Sequence, residues 1–173
     1  LINEIHYLNN KGIKPKIYVS DRAHVIMPYH KQMDAALTNH QGNLAAGSTM
    51  RGIAPVYADK MFRHGIRVID LTEPDIFKEK LNRAYQFNTK LISAISDQVI
   101  EINEKSIYKE YIEYGKQLSP YIKDVSVELY CAQQNGKAIL FEGAQGVSLD
   151  IDHGIYPYTT SSNSIAGNIA TGT

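Results

Sequence analysis

Tryptophan is missing from this chain of 173 residues, and cysteine occurs once, as Cys131. A lone thiol closes no internal disulfide and points to a reducing compartment. Long apolar runs are missing too, since no stretch nears the ~20 residues that a membrane helix needs. The opening Leu1-Ile2-Asn3-Glu4 lacks the basic-then-apolar plan of a signal peptide. Neither sign of charge is in excess, with 18 basic and 18 acidic side chains. That balance excludes a protein that coats nucleic-acid phosphates, which needs a basic stripe. The expectation is a soluble, cytoplasmic protein with no nucleic-acid or membrane partner. Apolar residues at 43% and charged ones at 21% exclude wholesale disorder. A chain this long buries roughly 70% of the surface its unfolded form exposes, enough for a core.

What is present is unevenly spread. Residues 1–70 hold nine Lys/Arg and five Asp/Glu; residues 71–173 hold nine and thirteen. Lys137 is the last basic residue. The basic half suits an anionic ligand, although ordinary charge scatter gives the same numbers. Both ends read as internal to a longer protein. The chain starts without methionine inside a helical pattern (Leu1, Ile5, Leu8) that Gly12 stops, and it ends barely two turns after a plausible N-cap at Asn163.

Periodicity predicts α/β architecture. Lys16–Ser20 reads as a short buried strand, and Pro28 opens a helix through Met33, Ala36 and Leu37. Gly42–Gly52 is a loop, a short helix covers Pro55–His64, and Ile66–Asp70 is extended. Thr72 and Asp75 are spaced as a capping box, with Pro74 in the first turn. From there Ile76, Phe77, Leu81, Ala84, Phe87, Leu91, Ile92 and Ile95 keep a 3.6-residue period. Helices follow at 106–117 and 120–135, and Gly136 ends the block. Ala138–Phe141 is a continuous apolar run, the pattern of a strand buried on both faces, and a double-glycine loop follows it. Strand-then-glycine-loop is where open α/β sheets hold ligands. Three parts are therefore expected: 1–72, a helical subdomain at 73–136, and 137–173.

Three stretches could carry chemistry. Gly47-Ser48-Thr49-Met50-Arg51-Gly52 combines close backbone approach, two hydroxyls and a guanidinium, with Arg63 and Arg67 downstream. A phosphate is its natural guest, unless it is simply a loop. In Glu142–Gly146, Gln145 offers an amide donor and acceptor suited to a base edge; Glu142 is either a general base or a carboxylate bonded to loop amides. Asp150-Ile151-Asp152-His153-Gly154 is either a metal cluster or a turn. Hydroxyl-rich Thr159–Ser162 either caps a helix or adds phosphate donors. No GxxxxGK[ST], HExxH or GxSxG pattern is present.

Together, Phe141–Gly146, Leu149–Gly154, Tyr156-Pro157-Tyr158 and Thr160–Asn163 resemble the signature run of the adenylosuccinate synthetase family. The stretch from Gly47 through Arg67 and Val68 is similar to that family's other internal signature. The resemblance implies a P-loop NTPase-like α/β parent fold, mainly a parallel sheet with helices, and an inserted helical subdomain. It implies a GTP-dependent carbon–nitrogen ligase of AMP biosynthesis: the 6-oxygen of IMP is phosphorylated, and the amine of L-aspartate then displaces phosphate. It also implies site residues for IMP, with Thr49 on the 5′-phosphate, Gln145 on the hypoxanthine, Thr160 as a second phosphate-side hydroxyl, and Arg63 reaching the partner's site in a homodimer. The family's GTP loop, with its magnesium-binding Asp and catalytic Lys, has no counterpart here, so GTP and Mg2+ belong to the parent enzyme. No catalytic residue is expected in this chain, nor a metal ligand, and the chain alone is expected to be inactive. Ala54, Ser148 and Ile155 depart from the family pattern. The alternative is a noncatalytic helical or nucleotide-binding module acting in dimerisation.

Overall fold

Proline at positions 28 and 74 begins two of the longer helices, where its missing N–H costs nothing. The computed structural model describes residues 1–42, 47–96 and 102–172. Residues 43–46 of the predicted glycine loop lie outside it. Helix α1 spans Ile2–Asn10, and strand β1 covers Val19–Ser20. Helix α2 is Pro28–Gln41, α3 Ile53–Phe62, α4 Pro74–Ile95 and α5 Glu104–Leu118. Strand β2 (Ile122–Lys123), helix α6 (Val125–Gln134) and the short α7 (Ile169–Gly172) follow. The two strands pair in parallel, Val19 with Ile122 and Ser20 with Lys123. The described chain is thus mostly helical with a small parallel sheet, consistent with an α/β fold. None of its helices is long and apolar enough to cross a membrane.

The core lies where α2, α4 and α5 meet. Met27, Tyr29, Met33 and Ala36 pack with Phe77, Leu81, Ala84 and Ile92 of α4, and Ile107 of α5 joins them. Phe77 stacks on Tyr108, centroids 5.6 Å apart. The apolar stripe expected on α4 is buried along Phe77, Leu81, Ala84 and Ile92, while Ile76, Phe87 and Leu91 stay exposed. Asn88 completes the buried row. Asp124 caps α6 by accepting from the Ser126 and Val127 N–H groups, and Arg22 pairs with it at 3.0 Å. This cap ties the carboxyl end of β1 to that of β2.

Five expectations need correction, the first being the buried strand over Lys16–Ser20, of which only Val19 and Ser20 form β1 and neither is fully buried. Only Ile66 and Arg67 of the 66–70 segment are extended, since a 3-10 turn starts at Val68. The Asp70 carboxylate accepts the Arg67 N–H at 2.8 Å and folds the chain over. No capping box starts α4, because the Thr72 hydroxyl donates back to the Ile69 carbonyl. The helix expected at 120–135 begins only at Val125, after β2. Ala138–Phe141 is not a buried strand. Leu140 is 92% exposed, and no described strand pairs with the run. An apolar run becomes a strand only where a neighbour takes its N–H and C=O groups.

Candidate functional site

Asp34 projects from α2 toward the glycine loop that precedes α3. Its carboxylate is 5% exposed and accepts from the Ser48 hydroxyl at 2.6 Å and from the Gly52 N–H at 2.9 Å. The Ser48 hydroxyl in turn accepts the Met50 N–H. One buried acid therefore sets the curvature of residues 48–52. Glycine is required at 52, where φ is +81° and an added Cβ would lie 2.9 Å from the His30 Cβ. Thr49 is exposed beside this loop. Its hydroxyl is hydrogen-bonded to no described residue, so it is available to a ligand.

A second carboxylate organises the C-terminal loops. Asp150 is fully buried. It accepts N–H groups from Asp152 (2.9 Å), His153 (3.0 Å), Ser164 (2.6 Å) and Ile165 (3.1 Å), and the Asn163 amide at 3.1 Å. Burial pushes its carboxyl pKa up, but the four backbone N–H bonds outweigh that and hold it well below the usual carboxylate range. Gly154 follows the same logic, because a Cβ there would strike the Asp150 carbonyl at 2.4 Å. Of the two readings of Asp150–Gly154, the turn accounts for the geometry. Both Asp150 oxygens are filled by the chain itself. Asn163, expected as a helix N-cap, instead bridges Asp150 and Asp152.

These two arrangements face each other across one cavity of ≈ 460 Å³. Thr49, Gln145 and Thr160 all line it, with Ser48, Asp34 and Tyr158 among their neighbours. The volume falls within the ~300–1,000 Å³ of small-ligand sites. Hydroxyls and the amides of Gln41 and Gln145 dominate the polar lining beside the Asp34 carboxylate, and no described Lys or Arg contributes to it. Arg51 is exposed and does not line the cavity, contrary to the guanidinium expected of its loop.

Arg63 also lies outside that cavity, as the residue that ends α3. Its φ is +67°, and Met50 (+54°) and Gln145 (+64°) are the other non-glycine residues so placed among the described ones. The left-handed region costs a side-chain-bearing residue about 1–2 kcal/mol. Helices that end this way usually use glycine. Such outliers gather at functional sites, and two of the three are residues predicted here for a ligand.

Sequence reasoning missed a third buried acid, Asp59 of α3, which is 2% exposed. His30 and His64 meet its two oxygens through Nε2, each at 2.9 Å, and the Asn88 amide donates at 3.0 Å. Burial alone would raise its pKa; the two histidines overcome that and hold it below the ordinary 3.8. The available signal was the i, i+4 spacing of His30 and Asp34, which puts two polar groups on the buried face of α2. Nearby His24 has its pKa lowered from 6.5, first by burial and then by Lys60 and Arg67.

Comparison with known proteins gives the family. The profile of the adenylosuccinate synthetase family matches residues 1–173. Adenylosuccinate synthetase of Clostridium acetobutylicum is 45% identical over 99% of this chain, and that of Clostridium kluyveri is 47% identical over the same share. In each case the match spans 41% of the relative. The solved structure of a fully ligated adenylosuccinate synthetase from Plasmodium falciparum superposes over 99% of this chain and 40% of its own length, with a TM-score of 0.85 and 27% identity.

Proposed function

Because this chain belongs to the adenylosuccinate synthetase family, and spans about two fifths of the length of its curated relatives, we propose that it is the IMP-side portion of such a ligase. The parent enzyme joins IMP and L-aspartate at the expense of GTP, through phosphorylation of the IMP 6-oxygen and displacement of that phosphate by the aspartate amine. Within the chain, Thr49 meets the 5′-phosphate, Thr160 adds a second hydroxyl, and Gln145 reads the hypoxanthine edge. The supporting observation is the cavity of ≈ 460 Å³ that these three residues share. Gln145 suits a purine edge because its amide gives and takes one hydrogen bond each at the O6 and N1 side.

A phosphate dianion also needs positive charge, which none of the described residues lining this cavity supplies. Arg63 supplies it from the partner subunit of a homodimer. That assignment agrees with an exposed guanidinium on a strained turn outside the protomer's own cavity. GTP and Mg2+ fall to other parts of the parent enzyme. The described residues offer no group of three His, Cys, Asp or Glu side chains fit to hold a metal ion. Residues 1–72 and 137–173 then carry the two loops, with the mainly helical 73–136, which also supplies β2, between them. The chain by itself lacks turnover, and the enzyme works in the cytoplasm.

The test is Arg63→Ala in the full-length enzyme. Loss of one charge-assisted contact raises the KM for IMP by about tenfold or more, and leaves the KM for aspartate within about threefold. An unchanged IMP dependence removes Arg63 from the site. Thermal denaturation of the 173-residue chain with and without IMP addresses the cavity itself, since a ligand that binds the native state raises Tm.

A further inference from the structure

Arg63 holds a strained backbone conformation although nothing grips its own side chain. The guanidinium is exposed and has no hydrogen-bond or ion-pair partner among the described residues. What constrains the turn comes from the two residues that follow. The N–H groups of His64 and Gly65 both donate to the Asp59 carbonyl, at 3.2 and 3.1 Å. The His64 ring then reaches back, and its Nε2 meets the Asp59 carboxylate at 2.9 Å. One residue on α3 thus receives three bonds from the chain just beyond Arg63.

Asp59 can serve as an anchor because it is itself immobilised from two other helices. Asn88 of α4 donates to its Oδ2 at 3.0 Å, and His30 of α2 meets the same oxygen at 2.9 Å. The proton on His30 can be located by geometry. Its Nδ1 accepts the Met27 N–H at 2.9 Å, so Nδ1 is bare and the hydrogen sits on Nε2, aimed at Asp59. His30 is therefore a neutral donor locked into one tautomer by a main-chain bond. His64 is held on its flanks as well, with its ring centroid 4.7 Å from Phe87 and 5.8 Å from Phe62.

We propose that Asp59 and His64 are positioning residues for Arg63. The buried carboxylate, fixed by His30 and Asn88, holds the left-handed turn through His64 and so sets the direction in which the guanidinium leaves the surface. Neither residue touches substrate. The proposal rests on the reading of Arg63 given above for its consequence in binding, but its geometric content stands apart from that reading.

Two variants of the full-length enzyme test it. His64→Phe keeps the aromatic packing and removes the donor, while His64→Gln keeps an N–H donor on a side chain of similar reach. Amide hydrogen exchange without ligand is read first. Loss of a hydrogen bond to a charged group speeds exchange at Arg63–Gly65 by about tenfold in His64→Phe and by less than about threefold in His64→Gln. The KM for IMP rises in parallel, kcat changes little, and His64→Phe adds nothing further once Arg63 is alanine. Exchange that is unchanged in His64→Phe overturns the positioning role, as does an equal loss in both variants. Faster exchange with no change in IMP dependence, in His64→Phe and Arg63→Ala alike, supports the positioning role and overturns the assignment of Arg63 to IMP.

Discussion

The cavity has two walls held by different means. On the α2–α3–α4 side, Asp34 and Asp59 sit beside packed side chains such as Met33, Phe77 and Leu81. On the other side, Asp150 is the single buried residue described beyond Leu118. From Gly146 to Ile165 the chain folds around that carboxylate while Ile155, Tyr156 and Tyr158 remain exposed. Packing spreads stability over many contacts, and losing one hydrogen bond there leaves the rest in place. A loop wound on one polar centre has no such reserve. The first wall acts as a platform, and the second keeps its shape only while one side chain stays ionised and bonded.

The largest expected effect sharpens this contrast. Phe77→Ala in the packed region costs about 3–5 kcal/mol, read as a lower Tm in thermal denaturation. A loss below about 1 kcal/mol would mean that packing does not hold this wall. Asp150→Ala comes next and is expected to act locally. Amides of Asp152, His153, Ser164 and Ile165 lose protection by at least about tenfold, while those of α2 and α4 keep theirs. Equal loss in both regions would break the comparison.

Acid acts in two stages, first at His24 and then at the buried carboxylates of both walls. The folded pKa of His24 lies below 6.5, so the unfolded chain takes up its proton first. Its contribution is complete above pH 6.5 and falls away as pH drops through that value toward the folded one. Asp59 and Asp150 are held below 3.8, so they stabilise above that pH and lose their effect as pH falls through it toward their folded values. Tm measured against pH therefore declines in two stages, and His24→Gln removes the first. The smallest effect belongs to Leu140→Ser, which stays within about 0.5 kcal/mol in this chain because the side chain is 92% exposed. A larger cost would show that Ala138–Phe141 is buried after all.

Local chemistry was readable and distant partnership was not. The long α4 could be seen in its 3.6-residue period, because Phe77, Leu81 and Ala84 announce one face by spacing alone. The glycine loop at 47–52 and the hydroxyls near Thr160 also stood out, since their donor groups are written in the residue types. The buried acids were invisible for the opposite reason. Asp34 and Asp59 look like solvated charges until Ser48, 14 positions away, and Asn88, 29 positions away, fold back to meet them. The apolar run at 138–141 misled because burial of a strand depends on its neighbours and not on its own residues.

Arginine at position 63 occupies a backbone shape that glycine fills with less strain. Selection for heat resistance alone, blind to turnover, would therefore accept glycine there. The surviving molecules would be sturdier, yet each would have lost the cation proposed above for the IMP site of a partner subunit. Thermostabilising libraries built on this scaffold should hold that codon constant, or screen for catalysis alongside melting.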